Sequence, residues 1–184
     1  LSRQAILEKA ARILEDRFET NSANLTREMG KPLAESRIEM QVAIDLLRWY
    51  GEEGKRVYGR IIPSRFPNMQ HEARKVPVGP TLAFVAWNFP ATNVMRKVAG
   101  ALAAGCSITI KPSEETPATA IAIGQALMEA GLPAGVLNIV FGVPAEVSEH
   151  LLGSTISRKL SFTGSVPVGI HLQKLAANNL IGRA

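Results

Sequence analysis

The sequence has 184 residues, of which 46% are hydrophobic and 20% are charged, and its formal net charge is +5. This length and apolar content suit a domain with a buried core, and no apolar stretch is long enough to cross a membrane. The basic excess is scattered and aromatic residues make up only 5% of the chain, which argues against a nucleic-acid-binding surface. A single cysteine and the absence of a signal peptide predict a cytoplasmic protein.

Residues 1–56 are predicted to be helical. Apolar residues from Ile6 to Leu25 recur at helical spacing, which predicts one amphipathic helix that Gly30 ends, and Pro32 can begin a second helix. The second helix is expected to bury an apolar face made of Ile38, Val42, Leu46, Trp49 and Tyr50. Three glutamates of this region are interpreted as solvated residues that pair with basic neighbours rather than as acid–base groups: Glu28, Glu35 and Glu39.

Residues 57–76 mix apolar and charged positions around Pro63, Pro67 and Asn68, which predicts a β-hairpin that projects from the domain. Such a hairpin leaves an unpaired edge, and natural proteins normally cover such edges with another chain.

Residues 77–184 alternate between strand and helix patterns. The apolar run Leu82–Ala86 has the length of a strand buried on both faces, and helical spacing follows it as far as Gly105. Further strands are predicted over 107–110, 136–141 and 159–162, with helices over 118–130, 145–152 and 168–178. This alternation predicts an α/β fold, a Rossmann-like parallel sheet with helices on both faces.

Three of these strands end in turns that could hold a ligand. Trp87–Pro90 and Lys111–Glu114 are polar turns, and Phe162–Ser165 is a strand-to-helix turn with a glycine at its tightest point. Glycine lets a phosphate approach the backbone, and a helix N-terminus offers free amides and a positive dipole end. Taken alone, Ser165 is better explained as a plain helix cap, and a GxGxxG fingerprint is absent.

The ordered pieces WNFP, ALAAG, KPSEETP and FTGS resemble the aldehyde dehydrogenase superfamily, and WNFP followed by Arg96-Lys97-Val98 is most similar to its succinate-semialdehyde dehydrogenase branch. The resemblance covers essentially the whole chain. It implies that this is only the N-terminal, NAD-binding portion, because the family's nucleophilic cysteine and the Glu of its ELGG motif would lie beyond Ala184. The segment alone is therefore expected to be inactive.

The resemblance also implies a set of cofactor-binding residues: Trp87, Lys111, Ser113, Glu114, Gly142, Gly164 and Ser165. Lys111 and Glu114 match positions that hold the adenosine ribose in the family. A carboxylate there would repel a 2′-phosphate, so NAD is favoured over NADP. Val166 replaces a hydroxyl residue common in the family, which leaves Ser165 and the backbone to bind the pyrophosphate.

Three further residues are given roles by the resemblance. Asn88 would donate its amide to the oxyanion that forms on the aldehyde, although it could also simply fold its own turn before Pro90. Lys97 matches a lysine near the catalytic centre, and Arg96 matches an arginine that pairs with the substrate carboxylate, although an exposed helix residue is the competing interpretation. Cys106 is expected to be a structural residue that begins a buried strand.

The expected partners are a small aldehyde and, in the complete protein, further copies of the same chain in a dimer or tetramer. In the resembled family the hairpin of residues 57–76 belongs to an arm used in oligomer assembly. No metal site, nucleic acid or membrane is expected. Two alternatives remain open, a non-catalytic NAD-binding module and an assembly module that pairs with a full-length subunit.

Overall fold

The computed structural model describes residues 2–177. Within them the helices are α1 (Ser2–Asp16), α2 (Phe18–Met29), α3 (Leu33–Glu53), α4 (Pro90–Ala104), α5 (Pro117–Glu129), α6 (Pro144–Gly153) and α7 (Val166–Ala177). The strands are β1 (Arg60–Pro63), β2 (Gln70–Ala73), β3 (Thr81–Val85), β4 (Ile108–Lys111), β5 (Leu137–Ile139) and β6 (Lys159–Thr163). The last residue of the helix predicted over 168–178 lies outside the described residues.

The N-terminal region is helical as predicted, but the first helix is not continuous. It breaks at Arg17, whose φ of −107° and ψ of 16° leave the helical region, so α1 and α2 are separate helices. Gly30 ends α2 in the left-handed conformation with φ 83°, and its amide bonds the Thr26 carbonyl at 2.8 Å. Glycine adopts that conformation without a steric cost.

The predicted apolar face of α3 is wrong in part, because Leu46 and Tyr50 pack against the core but the other three residues are exposed. Ile38 is 66% exposed and Trp49 is 64% exposed, whereas the buried face is made of other residues, among them Met40, Ala43, Ile44 and Leu47. This helix carries apolar residues on most of its circumference, so spacing alone does not show which side faces the core. The side that packs is the one that meets α1, α2 and α4.

Strands β1 and β2 form the predicted hairpin. They pair antiparallel, from Arg60 opposite Ala73 to Pro63 opposite Gln70, and every residue of both strands is exposed. No third strand pairs with this ladder within residues 2–177, so its outer edges carry free backbone groups.

The remaining strands form one parallel sheet in the order β5-β4-β3-β6. Side chains of β3 alternate between two cores. Ala83 and Val85 pack with α1–α5, and Leu82 and Phe84 pack with α6 and α7, so helices cover both faces as predicted.

The chain leaves β3 toward β4 and β5 on one side and returns to β6 on the other. This order places a topological switch point between β3 and β6, where ligands of open α/β sheets bind. None of the helices within residues 2–177 combines the length and the apolar character that a membrane span requires.

Candidate functional site

The three turns singled out from the sequence meet at the carboxyl edge of the sheet. Phe84 of β3 lies opposite Lys111 of β4 and Phe162 of β6, and Val85 lies opposite Thr163. Because these strands are parallel and in register, the residues that follow them come together at the switch point.

A cavity of about 500 Å³ opens at this point, between the sheet edge and helices α6 and α7. We call it the edge cavity. Six of the seven predicted cofactor residues line it: Trp87, Lys111, Ser113, Glu114, Gly164 and Ser165. Gly142 does not line the edge cavity, but its backbone amide donates a hydrogen bond to the Glu114 carboxylate.

Lys111 and Glu114 form a fixed pair at the floor of the edge cavity. The Lys111 side chain is 6% exposed, and its Nζ donates to the Glu114 carboxylate and to the Pro112 carbonyl at 3.2 Å. Burial acts to raise the pKa of Glu114. The hydrogen bonds from Lys111 and from the backbone amides of Glu114 and Gly142, together with the Lys111 charge, outweigh it and hold the pKa below 4.5. Glu114 is therefore an anionic acceptor at neutral pH.

Gly164 and Ser165 bring the backbone to the opposite wall, directly before α7 begins. A Cβ at Gly164 would lie 2.5 Å from Cζ of Phe162, so a larger residue would displace that ring inside the edge cavity. The Ser165 carbonyl accepts the Gly169 amide at 3.0 Å, which identifies Ser165 as the N-cap of α7. The first turn of α7 therefore faces the edge cavity with its positive dipole end.

Asn88 lies in the exposed turn between β3 and α4. Its side-chain oxygen accepts a hydrogen bond from Asn93 Nδ2 at 3.4 Å, and that Nδ2 also approaches the Ala86 carbonyl at 3.5 Å. The Asn88 NH₂ has no acceptor among residues 2–177, so it is available as a donor. Asn93 is a residue that the sequence analysis missed.

A second cavity of about 400 Å³ lies between α3 and α4, and we call it the helix cavity. Ile38, Val42 and Phe89 give it apolar walls, and Arg96 and Glu35 are its exposed charged residues. Arg96 has no carboxylate within salt-bridge distance among residues 2–177. The Ile38 and Val42 side chains, expected in the core, line this cavity instead.

Two glutamates that were interpreted as solvated are built into the structure, which corrects that interpretation. Glu39 is 3% exposed, pairs with buried Lys31 and accepts the amides of Ala91 and Thr92 at the start of α4. Glu28 accepts the amides of Ala118 and Thr119 at the start of α5, at 2.7 and 3.0 Å. Glu35 remains exposed as expected.

Lys97 lies apart from Asn88. It lines a third cavity of about 430 Å³ together with Arg96 and Lys159. Desolvation is the main cause that lowers the pKa of Lys97 below 10.5, and the charges of Arg96 and Lys159 lower it further. The described part of the chain thus does not bring the two predicted catalytic residues into one cavity. It contains no cluster of three or more His, Cys, Asp or Glu residues that could hold a metal.

A family model for the "Aldehyde dehydrogenase family" matches residues 1–183. The chain belongs to the aldehyde dehydrogenase family. The predicted resemblance is therefore confirmed, and so is the fold class, because solved members of the family share the fold.

Relatives that are similar to this chain are named for several oxidations. It is 51% identical over 178 residues to the 4-(hydroxymethyl)benzenesulfonate dehydrogenase TsaD1 of Comamonas testosteroni, covering 97% of this chain and 37% of that one. It is 42% identical over 156 residues to the succinate-semialdehyde dehydrogenase [NADP(+)] GabD of Escherichia coli, covering 85% and 32%. The crystal structure of succinate-semialdehyde dehydrogenase from Burkholderia pseudomallei superimposes with a TM-score of 0.94 at 41% identity, covering 96% of this chain and 37% of that one. The chain spans about a third of the length of these relatives.

Cys106, the one cysteine of this aldehyde dehydrogenase segment, is free and 4% exposed. It precedes β4 at the amino edge of the sheet and lines neither the edge cavity nor the helix cavity. It lines the third cavity together with Arg96, Lys97 and Lys159. Its burial is consistent with the expected structural role.

Proposed function

We propose that this chain is the cofactor-binding part of an NAD-dependent aldehyde dehydrogenase whose substrate carries an anionic group, such as succinate semialdehyde or a similar carboxylated aldehyde. The observation that carries the proposal is the edge cavity. Six residues from three separate turns line it at the switch point of the sheet. In the complete enzyme the aldehyde is oxidised to the carboxylic acid, and the bound dinucleotide takes up the hydride.

The edge cavity fits the adenosine and pyrophosphate parts of a dinucleotide. The anionic Glu114 can accept from two vicinal ribose hydroxyls while Lys111 donates to one of them. Opposite them, Gly164, Ser165 and the N-terminus of α7 offer amides and a hydroxyl to a pyrophosphate. Phe84 and Leu172 supply apolar wall between these polar groups.

The Glu114 carboxylate supports NAD as the cofactor. A 2′-phosphate would bring two negative charges beside a carboxylate whose partners keep it ionised. Lys111 does not turn this repulsion into attraction, because its single positive charge is balanced by Glu114 and the pair carries no net positive charge. NADP is the less favoured cofactor, although the E. coli relative is named for it.

Asn88 is the proposed oxyanion donor, and its free NH₂ supports that role. A preorganised donor of this kind contributes roughly 3–4 kcal/mol to stabilising the transition state. We assign the role of nucleophile or general base to no residue of this segment. Cys106 is buried, and Asn88 does not line the cavity next to it. We therefore infer that the segment alone does not oxidise aldehydes.

The helix cavity is the proposed site for the substrate's distant end. Arg96 has no acidic partner there and can bind a carboxylate or sulfonate with two parallel hydrogen bonds. Ile38, Val42 and Phe89 offer an apolar wall to the carbon skeleton between that anion and the aldehyde. Relatives named for succinate semialdehyde and for a benzenesulfonate support an anionic substrate, because both compounds carry such a group.

The exposed hairpin supports an assembly role in the complete protein. Ile61 is 71% exposed and Ile62 is 41% exposed, and the free edges of β1 and β2 can pair with another chain. We propose a homo-oligomer, a dimer or tetramer. The same hairpin also favours the alternative of an assembly module that pairs with a full-length subunit.

The test of substrate class uses a catalytically complete enzyme that carries this segment, for example a hybrid in which residues 2–177 replace the matching part of the TsaD1 dehydrogenase. Below we call it the complete enzyme. Arg96→Leu should lower kcat/KM for succinate semialdehyde at least tenfold, about 1.4 kcal/mol, and should leave butanal oxidation nearly unchanged. Leucine is as good a helix former as arginine, so α4 should persist.

Glu35→Gln is the matched control, because it removes the opposite charge from the same cavity. It should leave butanal oxidation unchanged and should not weaken succinate semialdehyde oxidation. Equal losses on both aldehydes in Arg96→Leu, or no loss on either, would show that Arg96 does not recognise the substrate.

A further inference from the structure

Lys31 and Glu39 form a buried ion pair between the N-terminal helices and the turn that carries Asn88. Their side chains are 5% and 2% exposed. One Glu39 oxygen accepts Lys31 Nζ, and the other accepts the Ala91 amide at 2.8 Å and the Thr92 amide at 3.1 Å. The residue before α4, Phe89, provides no side-chain cap, so Glu39 acts as the cap from 52 residues away in the sequence.

Lys31 also contacts the turn itself. Its Nζ lies 3.4 Å from the Asn88 carbonyl oxygen and 4.3 Å from the centre of the Phe89 ring. A desolvated ammonium is attracted both to a carbonyl oxygen and to the face of an aromatic ring. The two residues of the pair thus contact four of the five residues from 88 to 92: Lys31 contacts 88 and 89, and Glu39 contacts 91 and 92.

Stability alone is a poor explanation for this pair. Removing two charges from water costs several kcal/mol, and apolar residues of similar volume are often at least as stabilising. What an ion pair with fully used hydrogen-bonding groups supplies is a fixed geometry. Here the fixed element is the backbone of Asn88, while Asn93 orients the Asn88 side chain and leaves its NH₂ free.

We propose that the Lys31–Glu39 pair is a positioning device for the oxyanion donor. It sets the Asn88 backbone against the start of α4, so that the amide NH₂ is already aimed when charge develops on the aldehyde oxygen. This inference rests on the proposed role of Asn88. Such preorganised donors lose effect steeply when they are misplaced, and the loss appears in kcat rather than in substrate binding.

The test is a double-mutant cycle in the complete enzyme. Lys31→Met removes the contact to Asn88 with little change in volume, and Glu39→Gln is a second variant that keeps an oxygen for the α4 amides. Glu28→Gln is the control, because Glu28 caps α5 at the equivalent amides but touches no residue of the Asn88 turn. Melting temperatures and NAD affinity show that each variant is folded.

Lys31→Met should lower kcat roughly tenfold with less than about a threefold change in the KM for the aldehyde, whereas Glu28→Gln should leave kcat unchanged. In an Asn88→Ala background, Lys31→Met should cost less than about twofold further, because the group that it positions is gone. If Lys31→Met does not fold, the same cycle with Glu39→Gln decides.

A full tenfold loss in both backgrounds would overturn the positioning proposal and leave the oxyanion role of Asn88 intact. If Asn88→Ala itself left kcat unchanged, the oxyanion role would fail, and the positioning proposal would fail with it. The two failures are therefore distinguishable by the effect of Asn88→Ala alone.

Discussion

Helices follow all four strands of the parallel sheet, and they differ in whether a carboxylate of the protein accepts their N-terminal amides. The helices after β3 and β4 have such a carboxylate, and the helices after β5 and β6 do not among residues 2–177. Helices α4 and α5 both begin with proline, as α6 does. In α4 and α5 a distant glutamate accepts hydrogen bonds from the amides of the second and third helix residues. Among residues 2–177 no side chain caps α6, and both α6 and α7 begin at the wall of the edge cavity. Two helix N-termini are thus filled by the protein's own carboxylates, and two remain available to an anionic ligand.

The comparison shows how one sheet edge is divided between structure and ligand. A carboxylate at a helix N-terminus takes the place that a phosphate would occupy, so α4 and α5 cannot bind the cofactor in that way. The N-terminal helices α2 and α3 supply these carboxylates through Glu28 and Glu39. They therefore restrict phosphate binding at a helix N-terminus to α6 and α7.

The largest expected effect is the loss of an internal cap. Glu39→Ala should lower the free energy of unfolding by about 3–5 kcal/mol, because it leaves Lys31 buried without a counter-charge and two amides without an acceptor. Glu28→Ala should cost only about 1–2 kcal/mol, since Glu28 is half-buried and has no buried cation as a partner. Urea unfolding followed by circular dichroism measures both. Similar small losses of unfolding free energy in both variants would show that the burial of the Glu39–Lys31 pair does not set the cost.

A smaller effect is expected in the edge cavity. Glu114→Ala should weaken NAD binding by about 1.5 kcal/mol, the low end for a hydrogen bond to a charged group, because this side chain is 41% exposed. It should also relax discrimination against NADP. Calorimetric titration with each dinucleotide gives both values, and unchanged selectivity would show that the carboxylate does not face the 2′ position.

A conservative substitution that should strengthen cofactor binding tests the same cavity. Val166 is 75% exposed at the start of α7, so Val166→Thr adds a hydroxyl beside the proposed pyrophosphate site without disturbing the core. NAD affinity should rise by about 0.5–1 kcal/mol. Val76→Thr is the control, because Val76 is equally exposed but lies beyond β2. An equal change in NAD affinity in both variants would show that the pyrophosphate does not bind at the N-terminus of α7.

The smallest expected effect concerns Lys97. Its pKa is lower in the folded state than 10.5, so the unfolded chain binds more protons in the window between the lowered pKa and 10.5. Below that window the charged amine destabilises the fold, and this cost disappears as the pH rises through it. Lys97→Met should therefore be slightly more stable than the unmodified chain near pH 7, and the advantage should shrink as the pH approaches 10.5. Urea unfolding at a series of pH values measures the difference, and a gap that widens with pH would refute the sign.

Local signals were sufficient to predict the polar residues of the edge cavity. The turn residues Lys111, Glu114, Gly164 and Ser165 lie next to strands whose apolar runs are easily recognised, and parallel strands bring such turns together. Their position around one cavity follows from the order of elements.

The glutamates that cap α4 and α5 could not be predicted in the same way. Glu39 and the amides that it caps are 52 residues apart, and Glu28 and its amides are 90 residues apart. A glutamate on a helix surrounded by basic residues looks the same in sequence whether it is solvated or buried. The burial of α3 on one side rather than the other depends likewise on three packed helices, and the spacing of its apolar residues does not encode that choice.

We propose that NAD binds in the edge cavity and not at the capped N-termini of α4 and α5. The most direct test is an NMR titration of the ¹⁵N-labelled chain with NAD. Amide shifts should change at Gly164, Ser165 and Val166 and around Glu114, since these line or border the edge cavity. Ala91 and Thr92 of α4, and Ala118 and Thr119 of α5, should stay unchanged because carboxylates already occupy their amides. Shifts that are confined to the starts of α4 and α5 would contradict the account.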